Sequence, residues 1–429
     1  MQRMRRAAAP GVRSSAGRGR CPNTSVSSAR PSVGGLPRDT WLLCFSAFCA
    51  DLAYQGVTAL FPLYLVLRLH APLYAYGIVT AIAFGGGAFV SYLGGIAGDR
   101  FDRKAVSIAG NTFIPLMALS GLAHTPWLSA LLFVLGWWAR YFRSPPRRAL
   151  LVNVTPPRER ARAFAVLHGL DIGGGMLSAL IALLALWRHI AIATVMLYAV
   201  VPLVFSTVLL CFVRRSAVYP ATTPGGAAAG RGSPPARTLM TGLLLAATLY
   251  GFSFYNLGFP ILSAAARRGA DGYEWGVLAY VVYLGISAVS GYVLGSWRAD
   301  PVRMLWLLGY LPSAVASGLI GVCELMHWQA LAFYLAVGLL GFGMGAVETF
   351  EPTLVSSVAG HTRLGRGMGF LSVSRAIGQF LSNLVMGLLF ALGPAVPYFY
   401  AFVSALLAAL VFGSVELARS EHPPDVPAA

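Results

Sequence analysis

Between Trp41 and Leu417 the chain is a succession of apolar runs of membrane-crossing length joined by short polar turns, and this rhythm limits the possible folds more than any single motif. A helix needs about 20 apolar residues to cross the hydrocarbon layer. Tiling on that length predicts twelve helices, over about 41–67, 72–98, 105–123, 127–149, 161–186, 190–212, 239–266, 273–296, 303–323, 328–355, 365–391 and 396–417. Lipid offers no partner to free backbone N–H and C=O groups, so each span must be helical. With 57% hydrophobic and only 11% charged residues, a water-soluble domain is excluded. The expected class is an all-α integral membrane protein.

The charge pattern orients it. The net charge of +17 is carried almost wholly by arginine, Lys104 being the only lysine. With a cytoplasmic N-terminus, only Arg68, Arg188, Arg267 and Arg268 fall on outer loops, while Arg140 and Arg375 lie inside spans. That asymmetry follows the positive-inside rule and predicts that both termini are cytoplasmic. The basic residues are dispersed over short loops, so no nucleic-acid surface is expected. Cys21, Cys44, Cys49, Cys211 and Cys323 make no metal or disulfide pattern, and the seven histidines are scattered; neither metal nor cofactor is expected.

Residues 1–39 read as a basic cytoplasmic tail, disordered or with a transit-peptide flavour, and without the apolar core of a secretory signal. A first six-helix bundle should occupy 40–213, a Pro/Gly/Ala-rich cytoplasmic linker 214–238, a second bundle 239–418, and a short tail 419–429. The two halves echo each other. Phe61-Pro62-Leu63 answers Phe259-Pro260-Ile261, Tyr76-Gly77-Ile78 answers Trp275-Gly276-Val277, and Arg162-Ala163-Phe164 answers Arg366-Gly367-Met368. A repeat of this kind suits a transporter whose halves rock around a central site.

One stretch is densely ionic. Gly94-Gly95-Ile-Ala-Gly98-Asp99-Arg100-Phe-Asp102-Arg103-Lys104 follows an apolar span directly. It resembles the loop 2–3 signature of the major facilitator superfamily, departing from it at Asp102, where the family usually has glycine. Arg143-Ser-Pro-Pro-Arg147 and Pro-Pro-Arg158-Glu-Arg160-Ala-Arg162, followed by Asp171, are similar to bacterial members. The resemblance spans 41–417 and implies two pseudo-symmetric six-helix bundles around a solute path. It also implies a conformational latch: Gly95, Asp99, Arg100, Asp102, Arg103 and Lys104 facing the start of the eleventh helix and Arg366, with Glu348 and Glu351 nearby. A plain topogenic anchor is the other reading of the same charges, and Asp102 is expected to share the arginines with Asp99.

Ionisable residues at bilayer depth are functional candidates by default. Asp51, with Tyr54 and Gln55, lies near the middle of the first span and is a candidate proton carrier, or an acid that fixes helix packing. Asp171, with His168 one turn earlier, is expected to pair with Arg140 of the fourth span, as a coupling site or a static staple. Arg375 occupies the place in the second half that Asp171 holds in the first, with Gln379 continuing its face, and Glu348 and Glu351 are expected to pair with Arg363, Arg366 or Arg375. Tyr255 and Asn256 complete the candidate cavity.

These features predict a secondary transporter of a small organic solute, with a proton as co-solute and export as the favoured direction. An uncoupled or proton-coupled importer is the alternative, and a non-transporting sensor or assembly factor the alternative from another class. No enzymatic motif appears, so no enzyme is expected. The expected setting is the bacterial inner (plasma) membrane, as a monomer in the lipid bilayer.

Overall fold

A computed structural model describes residues 32–33, 35–214, 234–267, 272–297, 300–327 and 330–421, leaving aside the side chains of 32, 33, 161, 234–237, 356–369 and 418–421. Most of the expected tails and linker therefore lies outside the described residues.

Eleven helices among the described residues are long and apolar enough to span a bilayer. With one further helix they are α1 (Arg38–Arg68), α2 (Leu73–Arg100), α3 (Arg103–Leu122), α4 (Pro126–Val154), α5 (Arg162–Trp187), α6 (Ile192–Cys211), α7 (Thr238–Ala266), α8 (Tyr273–Gly295), α9 (Pro301–Met326), α10 (Ala330–Val355), α11 (Phe370–Leu392) and α12 (Val396–Leu417). The exception on apolarity is α4. It is 29 residues long but carries Arg140, Arg143, Arg147 and Arg148. Such a helix tolerates bilayer depth only by facing protein, and α4 packs between α2 and α3.

The chain belongs to the membrane by sequence, yet its helices are not all regular. α10 and α11 lie in one helical run, Ala330–Leu389, that doubles back on itself. The Arg375 side chain meets Glu351 at 2.6 Å, whereas a straight helix would hold those residues about 36 Å apart. In α7 the helix stops at Ser253 and restarts at Gly258. Pro260 has no N–H for the carbonyl of Asn256 and crowds it. The Asn256 Oδ1 meanwhile accepts the Gly258 N–H at 2.8 Å, a local turn that competes with the helix. The matching Pro62 leaves α1 unbroken through Pro62 and is followed by a wider turn over Leu63–Arg68. The same Phe-Pro step thus gives two outcomes, decided by the asparagine.

The end of the expected tail is structured. Ser32–Val33 and Leu36–Pro37 form a minimal antiparallel pair, and Leu36 is fully buried beside Leu43, Cys44, Leu150, Val154 and Leu167. The second bundle's first helix begins at Pro234, inside the expected linker.

The apolar core states how the bundles meet. We call the membrane side where α1 begins proximal and the other distal. One buried cluster joins both bundles through their distal halves, including Phe61, Tyr76, Phe133, Phe259, Val277 and Tyr398. On the proximal side there are two separate clusters, one around Leu43, Leu151 and Leu210, the other around Leu243, Tyr310 and Phe412. The distal contact is close: a Cβ added to Gly77 of α2 would stand 2.7 Å from the Gly387 Cα of α11. Only glycine on both helices allows that approach.

Candidate functional site

The first-bundle site is built on α1 and α4. Asp51 is buried, 4% exposed, and accepts a short hydrogen bond from the Tyr54 hydroxyl one turn along α1. Its second oxygen, Oδ2, has no partner among the described residues. Tyr54 stands edge-on to Trp137 of α4 at 5.8 Å. The Arg140 guanidinium lies over both rings, 4.8 Å from each centroid, and 5.6 Å from Tyr141. An arginine so placed is held by π-faces while its positive charge faces the acid's neighbourhood. Gln55 reaches across to the second bundle, its Oε1 accepting the Tyr280 hydroxyl at 2.8 Å.

Asp171 does not pair with Arg140. Its nearest cation is Arg147, at 3.8 Å, with the Asp171 side chain 27% exposed. The aromatic faces hold Arg140 closer to Tyr54, and Arg147, two turns further along the same face of α4, reaches Asp171 instead. Asp171 Oδ1 and two nitrogens of Arg147 lack partners among the described residues. His168 is exposed and joins no part of this cluster. Arg143 is fully buried and donates to Asn111 Oδ1 of α3; the Asn111 amide then donates to Thr207 of α6 at 2.7 Å. That polar core of α3, α4 and α6 had no sequence signal beyond the arginine itself.

The second-bundle site is a tighter knot. Arg375 donates through Nε to Glu351 at 2.6 Å and through Nη1 to Glu348 at 2.8 Å. Glu351 is fully buried and also accepts the Tyr310 hydroxyl at 2.6 Å. Of the partners open to Glu348 and Glu351, Arg375 is the one observed; the side chains of Arg363 and Arg366 lie outside the described residues. Gln379 is half-buried, and its backbone carbonyl accepts the Asn383 amide at 2.7 Å.

Tyr255 and Asn256 occupy the break in α7. The Tyr255 hydroxyl is 3.4 Å from Ser317 of α9. Asn256 is the more informative. Its Oδ1 accepts the Tyr76 hydroxyl of α2 at 2.7 Å, and its backbone N–H, freed by the break, donates to Asn383 Oδ1 of α11 at 2.8 Å. A single residue thereby ties the two bundles together on the distal side. Asn383 continues the Arg375 face of α11 one turn beyond Gln379 and is legible in that spacing, whereas for Tyr76 the Pro260 break is the available signal.

In the ionic loop, Asp99 near the end of α2 is exposed and meets Arg103, the first residue of α3, at 3.5 Å. Arg103 also donates to Asn153 of α4 at 3.1 Å, and Arg100 is exposed. Asp102 has a backbone role as well. It is the N-cap of α3, its carboxylate accepting the Lys104 N–H at 3.1 Å. The Lys104 ammonium caps the opposite polarity, donating to the Cys211 and Val213 carbonyls at 2.7 and 2.6 Å where α6 ends. Gly95 is half-buried near Pro145, and a Cβ on its neighbour Gly94 would fall 2.0 Å from the Phe142 carbonyl oxygen.

A family model for the Major Facilitator Superfamily matches residues 43–382. The chain belongs to that superfamily. The match runs from the first turns of α1 into α11, so both bundles and both charge clusters fall within the facilitator framework. Among relatives, the chain is 26% identical over 357 residues to Multidrug resistance protein MdtH of Salmonella paratyphi B, covering 80% of this chain and 85% of that protein, and equally so to MdtH of Salmonella newport. Among solved structures, a POT family transporter in complex with a thioalcohol-conjugated peptide superposes with a TM-score of 0.71 at 14% identity, covering 90% of this chain and 97% of the other. The nucleoside transporter NupG gives 0.66 at 12% identity, covering 88% and 99%. The family match makes the chain a multi-pass membrane transporter of that superfamily, and the solved structures share its fold.

Proposed function

We propose that this facilitator is a proton-coupled exporter of a small organic solute, working by alternating access. The observation that carries the coupling is Asp51: a buried acid with one oxygen on the Tyr54 hydroxyl, the other without a partner, and Arg140 stacked beside it. An acid in that setting can alternate between a protonated form and one paired with the arginine, and solute binding nearby shifts the balance. Gln55, the next residue but three along α1, touches Tyr280 of the other bundle, so a change at Asp51 has a short route to the interface.

The divided proximal core and the joined distal core support a proximal-open state. With both termini and the proximal side cytoplasmic in a bacterial plasma membrane, as the arginine distribution argues, this state would load solute from the cytoplasm. The export direction rests on the relatives' name, a multidrug resistance protein. In the opposite state, Asp99 would leave Arg103 and meet the start of α11, closing the proximal side. The working unit we take to be a monomer.

A thermal-shift screen of the purified protein against cationic, neutral and anionic organic compounds, repeated at acidic and neutral pH, tests the reading. A stabilising ligand whose effect changes with pH supports it. A ligand that binds equally at both pH values, with Asp51→Asn indistinguishable from wild type, overturns proton coupling at this acid.

A further inference from the structure

α1, α5 and α6 enclose a groove of about 790 Å³ on the flank of the first bundle, away from the site described above. Its floor is apolar and buried, formed by Ala53, Val57 and Ala182; its edges, Leu184, Val201 and Phe205, are each more than half exposed. Along α5 it runs from Ser178 to Arg188, a rise of about 15 Å. That is half of a hydrocarbon layer about 30 Å thick, so the groove is as long as one leaflet is deep.

The distal end of the groove is chemically different from the rest. Arg188 lies there, exposed, with no hydrogen bond or ion pair to its side chain among the described residues. Trp187 and Tyr198 flank it, 57% and 60% exposed, as aromatic side chains do at the level of lipid headgroups. A guanidinium at that depth is placed to take a phosphate through two parallel N–H donors. An open apolar channel below it, facing lipid, cannot stay empty or hold ordered water without polar partners.

We propose that this groove binds an anionic phospholipid of the distal leaflet, one acyl chain lying between α5 and α6 and its phosphate on Arg188. A headgroup of net negative charge is retained over a zwitterionic one because Arg188 repels the ammonium of the latter, and among the described residues no acidic partner of Arg188 is there to hold that ammonium or to compete for the guanidinium. The lining residues Cys49, Leu52, Ala53 and Gly56 belong to the face of α1 behind Asp51 and Tyr54, so an occupied groove braces the helix that carries the buried acid. The proposal stands whether or not the protein couples to protons.

The test is native mass spectrometry of the full-length protein in detergent, titrated with phosphatidylglycerol or phosphatidylethanolamine of identical chains. The wild type should retain one phosphatidylglycerol more firmly than phosphatidylethanolamine. Arg188→Gln should weaken phosphatidylglycerol by about tenfold or more, the weight of a charge-assisted pair, and erase the preference. Ala185→Phe, which fills the groove, should weaken both lipids. Equal retention of the two lipids by the wild type overturns the proposal without any variant. So does a preference that survives Arg188→Gln, lipid retention unaffected by Ala185→Phe, or full displacement of the lipid by a plain alkane.

Discussion

Arg375 holds the fully buried Glu351 at 2.6 Å in the second bundle, and Arg147 faces Asp171 at 3.8 Å in the first; the two pairs occupy matching places about 200 residues apart with the signs exchanged. In the first bundle the cation is on α4 and the acid on α5. In the second the acid is on α10 and the cation on α11. Both pairs therefore staple the last transmembrane helix before the proximal turn to the first one after it, and the sign of each end is free to change so long as the pair remains.

Removing one member of the tighter pair should be expensive. Arg375→Leu leaves Glu351 buried without its cation, and a broken buried pair costs about 3–5 kcal/mol. We expect a large fall in Tm for the purified variant, with part of it regained in the double variant Arg375→Leu/Glu351→Leu. The same change at Arg147, whose partner is further away and partly exposed, should cost less. A double variant less stable than Arg375→Leu alone would show that the pair is not the source of the loss.

The ionic loop separates into a cap and an exposed pair. Asp102→Ala removes the α3 N-cap and should cost about 1 kcal/mol, while Asp102→Gly, the residue usual in the family, should cost only a few tenths. Asp99→Asn breaks a pair whose acid is exposed and whose arginine is only half-buried, and should change stability by less than about 1 kcal/mol. Its effect should appear instead in the balance between the two open states, read by distance measurements between spin labels on the proximal ends of the bundles. Identical thermal losses for all three variants would contradict the division of roles.

The distal closure depends on the approach of α2 to α11. Gly77→Val places side-chain atoms where Gly387 now lies and should hold the distal side apart. In a background freed of native cysteines, a Ser317→Cys reporter below the α7 break should then react faster with an impermeant maleimide added from the distal side. Unchanged labelling would mean that the glycine contact does not seal that side.

Much of this fold is legible in the sequence. All twelve expected helices form, with α4 alone falling short on apolarity, and α12 begins at Val396 as expected. The membrane leaves few alternatives to a helix, so length and apolarity carry nearly all the information. What escaped was pairing. Depth along α4 does not say whether Asp171 will find Arg140 or Arg147, because the choice turned on Trp137 and Tyr54 offering Arg140 their faces. The N-cap role of Asp102 follows from its backbone position at the start of α3, which its charge alone does not announce. The Tyr76–Asn256–Asn383 tie needed the α7 break, which Pro260 favours but which Pro62, in the same local sequence, does not produce.

The central claim is that Asp51 carries the coupling proton. In proteoliposomes, a solute identified by the thermal-shift screen should be accumulated under an imposed pH gradient by the wild type, and an uncoupler should abolish that accumulation. Asp51→Asn should lose gradient-driven accumulation yet keep solute exchange down equal concentrations, since the cavity and the rocking of the bundles remain. Gradient-driven accumulation by Asp51→Asn at the wild-type rate would contradict the account.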